Sequence, residues 1–136
     1  VFMMKRKRIL VFLMLFLFMF ANTALATNWV YYNNFSEGRS YVDTETVYRS
    51  GNALYFWELA MYDKDTYDGW YLAGDRVTIK YEVKLTTPRK MRELEFHDYD
   101  YNNKEFDYGT TPTDWWTVES GSYDDGLINL ALKYAK

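Results

Sequence analysis

Between residues 76 and 86 apolar and polar side chains alternate without a break. Val77, Ile79, Tyr81, Val83 and Leu85 fall on one side, and Thr78, Lys80, Glu82 and Lys84 on the other. A period of two belongs to a strand with one buried and one wetted face. Residues 53–62 keep the same period but are largely apolar on both sides, Leu54, Phe56 and Ala60 opposing Tyr55, Trp57, Leu59 and Met61, which predicts a strand in the middle of a sheet. Shorter strands are predicted over 28–32, ended by Asn33-Asn34, and around 40–43 after the Glu37-Gly38 turn. Two more are predicted over 90–98, just past Pro88 and with Leu94 and Phe96 facing inward, and over 114–119, carrying Trp115 and Trp116. Ser50-Gly51-Asn52 reads as a turn and Tyr99 to Asn103 as a hairpin loop.

The period changes only at the end. Leu127, Ile128, Ala131, Leu132 and Ala135 recur at helical spacing behind Ser122, a residue able to cap free amides, with Asp124 and Asp125 at the helix's positive end. The expected fold class is α+β: an antiparallel β-sheet of about six strands with one C-terminal α-helix packed on a face.

The first 26 residues break from this pattern. Lys5-Arg6-Lys7-Arg8 precedes twelve uninterrupted apolar residues, Ile9 to Phe20, and then Ala21-Asn22-Thr23-Ala24-Leu25-Ala26. A basic end, a short apolar run and small residues at Ala24 and Ala26 are the three parts of a secretory signal peptide, so cleavage is expected after Ala26, leaving one domain over 27–136. The alternative is an uncleaved anchor, but the run falls short of the ~20 residues that span a bilayer. The expected location is the periplasm, the cell surface or the medium, with the membrane met only through the signal peptide.

Four of the 16 basic residues lie in that segment and none of the 19 acidic ones do, so residues 27–136 carry a formal charge of −7. That balance argues against nucleic acid or an anionic membrane surface as partner, since both are recognised by clustered Lys and Arg. There is no cysteine, hence no disulfide and no site for a lipid-bearing cysteine; the core alone must hold the domain together. Five Trp, fourteen Tyr and four of the nine Phe supply that core.

Five motifs stand in order along residues 27–136. They are Trp29-Val30-Tyr31 on the first strand, Tyr41-Val42-Asp43-Thr44, the Gly51-Asn52 turn before a strand with Trp57 at its centre, Arg92-Glu93-Leu94, and Trp115 followed by Ser120-Gly121-Ser122 at the helix start. In this order they resemble the surface-adhesin protein E family, small exported bacterial domains. The resemblance implies a binding rather than a catalytic role, with Trp29, Tyr41, Asp43, Gly51, Trp57, Arg92, Trp115, Gly121 and Ser122 as positions that hold the fold. Many members carry two cysteines, at places that fall here near Leu85 and in the last residues, and Ser120 stands where the family has Pro.

Candidate chemistry is sparse. His97 is the only histidine, and although Glu95 shares its strand face, no nucleophile or clamp accompanies them, so a solvated strand face is the expectation and no catalytic residue is assigned. Asp63-Lys64-Asp65-Thr66-Tyr67-Asp68-Gly69 approaches a calcium loop, but its third Asp and its Gly come one place late and Gly74 stands where the closing Glu belongs; an acidic turn is expected, and neither metal nor cofactor is assigned. Arg89, Lys90 and Arg92 form the one dense basic cluster, expected to balance carboxylates such as Glu93 and Glu95. Tyr62, Tyr67, Trp70 and Tyr71 crowd one polar loop, and Tyr99, Tyr101 and Tyr108 another. Such rings either fold back over a small sheet or act as ligand anchors; Tyr67, Trp70, Tyr71, Tyr99 and Tyr101 are the candidate binding residues. Two readings follow: a non-enzymatic exported domain that binds a protein or polysaccharide through its aromatics, or an envelope protein that self-associates, as a homodimer for instance, through a sheet edge. A small hydrolase is disfavoured for want of a catalytic constellation.

Overall fold

The computed structural model describes residues 27–136; the expected signal segment lies outside the described residues. The chain forms β1 (Trp29–Phe35), β2 (Gly38–Asp43), β3 (Tyr48–Ser50), β4 (Ala53–Tyr62), β5 (Arg76–Lys84), β6 (Arg89–Tyr99), β7 (Glu105–Gly109) and β8 (Trp116–Val118), then α1 (Tyr123–Leu132). All eight strands join one antiparallel sheet, in the order β1-β2-β4-β5-β6-β7. Because β5 runs the length of β4 and β6, β2 and β3 share the other side of β4, and β7 and β8 the other side of β6. The α+β class and the C-terminal helix stand as expected; the strand count of about six is corrected to eight.

The additional strands are β3 and β7. β1 also continues through Asn33-Asn34, which pair with Ser40 and Arg39 beyond a bulge at Tyr32. Gly38 closes this hairpin because a Cβ there would sit 1.9 Å from the carbonyl oxygen of Met61.

One face of the sheet is the core. Val42, Leu54, Phe56, Val83 and Met91 meet Leu127, Ile128 and Ala131 of α1, with Val47, Tyr81 and Val118 completing the cluster. Each large side chain buried there contributes about 1.5–3 kcal/mol. Ser122 caps α1 by accepting the Asp125 amide at 3.2 Å, while the Asp125 carboxylate accepts the Gly121 amide at 2.9 Å. Gly126, inside the helix, leaves room for Tyr32: a Cβ would lie 2.1 Å from the Tyr32 hydroxyl, which donates to the Tyr123 carbonyl at 2.8 Å.

A bulge in β6 overturns one inward assignment. Tyr81 pairs with Glu93 and Lys80 with Glu95, so Leu94 has no partner on β5 and the alternation shifts by one. Met91, Glu93, Phe96 and Asp98 therefore take the helix side, while Leu94 is not among the side chains packed on the core. The basic cluster is also satisfied differently from expectation. Arg92 pairs with Glu82 at 2.6 Å and Arg89 with Asp125 at 2.9 Å, rather than with Glu93 or Glu95, because their strand partners and the helix lie closer than their chain neighbours.

Candidate functional site

The helix is shorter than the sheet face it packs on, and beyond its N-terminus that face is open. Two hollows of ≈ 290 Å³ and ≈ 190 Å³ lie there and share Val77 and Ile79 as floor, forming one groove. Ala60 and Phe96 extend the floor, and Tyr123 stands on the helix side. The far wall is aromatic: Phe35 meets Tyr62 edge-on at 5.4 Å, Tyr62 stacks on Tyr71 at 4.4 Å, and Trp70 neighbours Phe106 at 6.3 Å. Trp70 and Tyr71 come from the long β4–β5 connection, which the sheet positions by hydrogen bonds from Tyr62 to Asp75 and from Gly74 to Tyr62.

Carboxylates face the same groove. Glu58 is buried at the centre of β4 and accepts the Ser40 hydroxyl and the Tyr81 hydroxyl, each at 2.8 Å; Ser40 in turn accepts from Tyr123 at 2.6 Å. Asp98, also buried, accepts the Tyr71 hydroxyl at 2.7 Å and the Trp70 indole N–H at 3.2 Å. Glu93 and Asp107 line the groove without a side-chain hydrogen bond or ion pair among the described residues. Burial raises the pKa of Glu58 even against its two hydroxyl donors. It does the same to Asp98 against Tyr71 and Trp70, and to Glu93, where the Asp98 charge adds to it. Tyr62 is pushed up to about 12 by burial and by the charges of Glu58 and Asp98. Among the described residues no Lys or Arg lines either hollow.

The predicted binding residues divide. Trp70 and Tyr71 form the groove wall, and the polar ends of both rings are held by Asp98, so they fold back on the sheet and line a recess at once. Tyr67 and Tyr101 are exposed on the β4–β5 and β6–β7 loops, and these loops touch: a Cβ on Gly74 would lie 2.9 Å from the Tyr101 Cβ. Tyr99 lies elsewhere, on the opposite sheet face, where it stacks beside His97. Glu58, Glu93, Asp98 and Asp107 were not singled out in the sequence as site residues. One signal was readable, since Glu58 interrupts the otherwise apolar series Leu54, Phe56, Ala60.

Among the described residues no helix covers the opposite face. A row of Tyr31, Tyr41, Leu59, Thr78, His97 and Tyr108 crosses six strands. His97 is clamped there, Nδ1 at 2.6 Å from Glu105 and Nε2 at 3.0 Å from Glu95, with Tyr108 stacked on it at 6.2 Å. A carboxylate only accepts, so the two contacts favour the protonated ring, which can donate from both nitrogens. Glu95, His97 and Glu105 thus group on a partly solvated strand face, their side chains 30, 25 and 41 % exposed.

Two of the motif positions, Asp43 and Trp115, have defined partners within the fold. Asp43 is buried and accepts the amides of Asn28 and Glu45 and the Thr46 hydroxyl. Trp115 lies beneath Lys84 and Arg92, 4.3 and 4.5 Å from its ring centre, while Trp116 packs against the core. In the acidic turn, Asp65 accepts the Ala73 amide and Asp68 the Thr66 hydroxyl and Trp70 amide, so these carboxylates close their own loop. A larger cleft, ≈ 460 Å³, lies beside Pro88, but Arg89, which lines it, is already held by Asp125 and Asn129.

Fold and site together define a class: an antiparallel sheet with one helix on one face, whose uncovered end forms an aromatic-walled, acid-lined groove. No protein-family model, no curated protein and no solved structure matches the chain.

Proposed function

We propose that this is a non-enzymatic binding domain of the exported kind, resembling the surface-adhesin protein E family, which captures a protein or an extracellular polymer at the end of the sheet where the groove and the loop aromatics meet. The observation that carries the reading is the grouping of exposed apolar side chains there: Tyr67, Trp70, Leu72, Tyr101 and Phe106 all stand out from the β4–β5 and β6–β7 segments. Exposed rings clustered at one end of a rigid sheet offer contact area at low entropic cost. A binding role rather than a catalytic one suits carboxylates whose positions are fixed by buried hydroxyl and indole donors, and a histidine locked between two acids.

The test is a pull-down with the purified protein against host matrix proteins, cell-wall glycans and envelope extract, repeated with Trp70→Ala/Tyr71→Ala. Removing two aromatic anchors is expected to lower affinity at least a hundredfold, about 2.7 kcal/mol or more, while circular dichroism still reports the sheet. Unchanged capture by the double variant would defeat the assignment.

Self-association is a second reading, supported by the uncovered sheet face with its exposed Tyr31, Tyr48 and Tyr108. Here sizing chromatography is expected to give a dimer that Tyr31→Lys/Tyr108→Lys dissociates. A concentration-independent monomer would remove this reading.

A further inference from the structure

We propose that the groove seats a basic, extended peptide segment of a protein partner, one lysine or arginine side chain lying along Val77, Ile79 and Phe96 with its cationic head among Glu93, Asp98 and Asp107. This deepens the binding reading above and rests on it.

Charge is the first argument. Four carboxylates line the two hollows, and among the described residues no Lys or Arg lines them and none of the four enters an ion pair. Negative charge in a partly desolvated recess is unfavourable until a cation arrives. Hydrogen-bond polarity is the second. Five donors in and beneath the groove are already engaged: Tyr71 and Trp70 on Asp98, Ser40 and Tyr81 on Glu58, Tyr123 on Ser40. Glu93 and Asp107 are left as free acceptors, so an occupant has to bring the donors, as ammonium and guanidinium groups do.

Shape is the third. An apolar floor leading to carboxylates matches a side chain with an aliphatic stem and a charged head, and Trp70 borders the same hollow. At ≈ 290 Å³ the larger of the two hollows is at the lower limit of small-molecule sites, a size suited to one long side chain. A neutral glycan fits less well, because its hydroxyls can donate to the carboxylates but bring no positive charge to balance them. A bare metal ion also fits poorly: among the described residues no three His, Cys, Asp or Glu converge to hold one.

The probe is a fluorescein-labelled octapeptide of alternating lysine and threonine, titrated into the purified protein. Its lysine-acetylated form, a glutamate–threonine form and a chitosan oligomer are run beside it. Saturable binding by the lysine peptide alone, with quenching of tryptophan fluorescence, is expected. Glu93→Gln and Asp107→Asn should each weaken it about tenfold or more, whereas Asp114→Asn and Glu119→Gln, at exposed acids outside the groove, should change it less than about twofold. Melting curves confirm folding, and Glu93→Gln should be no less stable than the parent, since burial already disfavours its charge.

Equal weakening by the outside variants would reduce the effect to bulk charge and overturn the proposal. So would binding of the acetylated peptide, or preference for chitosan over the lysine peptide. A partner captured through Trp70 and Tyr71 yet indifferent to Glu93→Gln and Asp107→Asn would leave the binding reading standing and sink this one.

Discussion

Phe56→Ala is expected to destabilise the protein by about 3–5 kcal/mol. Phe56 is fully buried at the middle of β4, lies 5.4 Å from the Tyr81 ring and belongs to the cluster on which α1 packs. Its loss removes a large apolar surface and leaves a cavity between two layers that no disulfide links. Against a total of about 5–15 kcal/mol for an ordinary domain, most of the margin disappears. Urea titration followed by circular dichroism measures it as a fall in midpoint at constant slope. A loss under about 1 kcal/mol would mean that the sheet and helix do not share this core.

Acidity should stabilise this fold, with the melting temperature about 5 °C or more higher near pH 5 than near pH 8. Burial raises the carboxyl pKa values of Glu58, Glu93 and Asp98 in the folded state. As pH climbs past about 4.5 the unfolded chain releases these protons first, so the folded state loses stability until its own carboxyls have ionised.

His97 acts in the same direction. Burial opposes its charge, but the bonds from Glu95 and Glu105 outweigh that and lift its pKa above the ordinary 6.5. The stability it contributes is complete below 6.5 and is lost as pH rises through the raised folded value. Glu82 opposes both at the acid end. Although burial works against its charge, Tyr55 and Arg92 hold its pKa below 4.5, and its contribution is lost as pH falls through that lowered value. The maximum therefore lies on the mildly acid side. Differential scanning calorimetry across the range, with the His97 imidazole followed by NMR, is the measurement. A higher melting temperature at pH 8, or a His97 midpoint below 6.5, would refute the account.

What could be read from the sequence was whatever repeats locally. β4 and β5 stand where the alternation of Leu54 to Met61 and Val77 to Val83 puts them, and α1 begins at Ser122 because capping chemistry is local. β3 is three exposed residues, and β7, Glu-Phe-Asp-Tyr-Gly, has no buried member; both are strands only because β4 and β6 offer a free edge. The bulge at Leu94 depends on the match between two strands, so no period in either one announces it.

The groove was legible only in its aromatic half. Trp70 and Tyr71 were conspicuous on a polar loop, but the carboxylates opposite them come from β4, β6 and β7 and gather only when the sheet forms. Nearness in the chain groups Tyr99 with the loop rings. Strand parity sends it to the other face.

Asp98 has a consequence for how tightly any ligand can be held. By fastening both the indole of Trp70 and the hydroxyl of Tyr71, it ties down a connection that a free loop would sample in many shapes. Ordering a residue costs about 1–2 kcal/mol of backbone entropy, and here much of that loss is already taken when the chain folds. The wall is preorganised, so association has mainly to order the incoming partner.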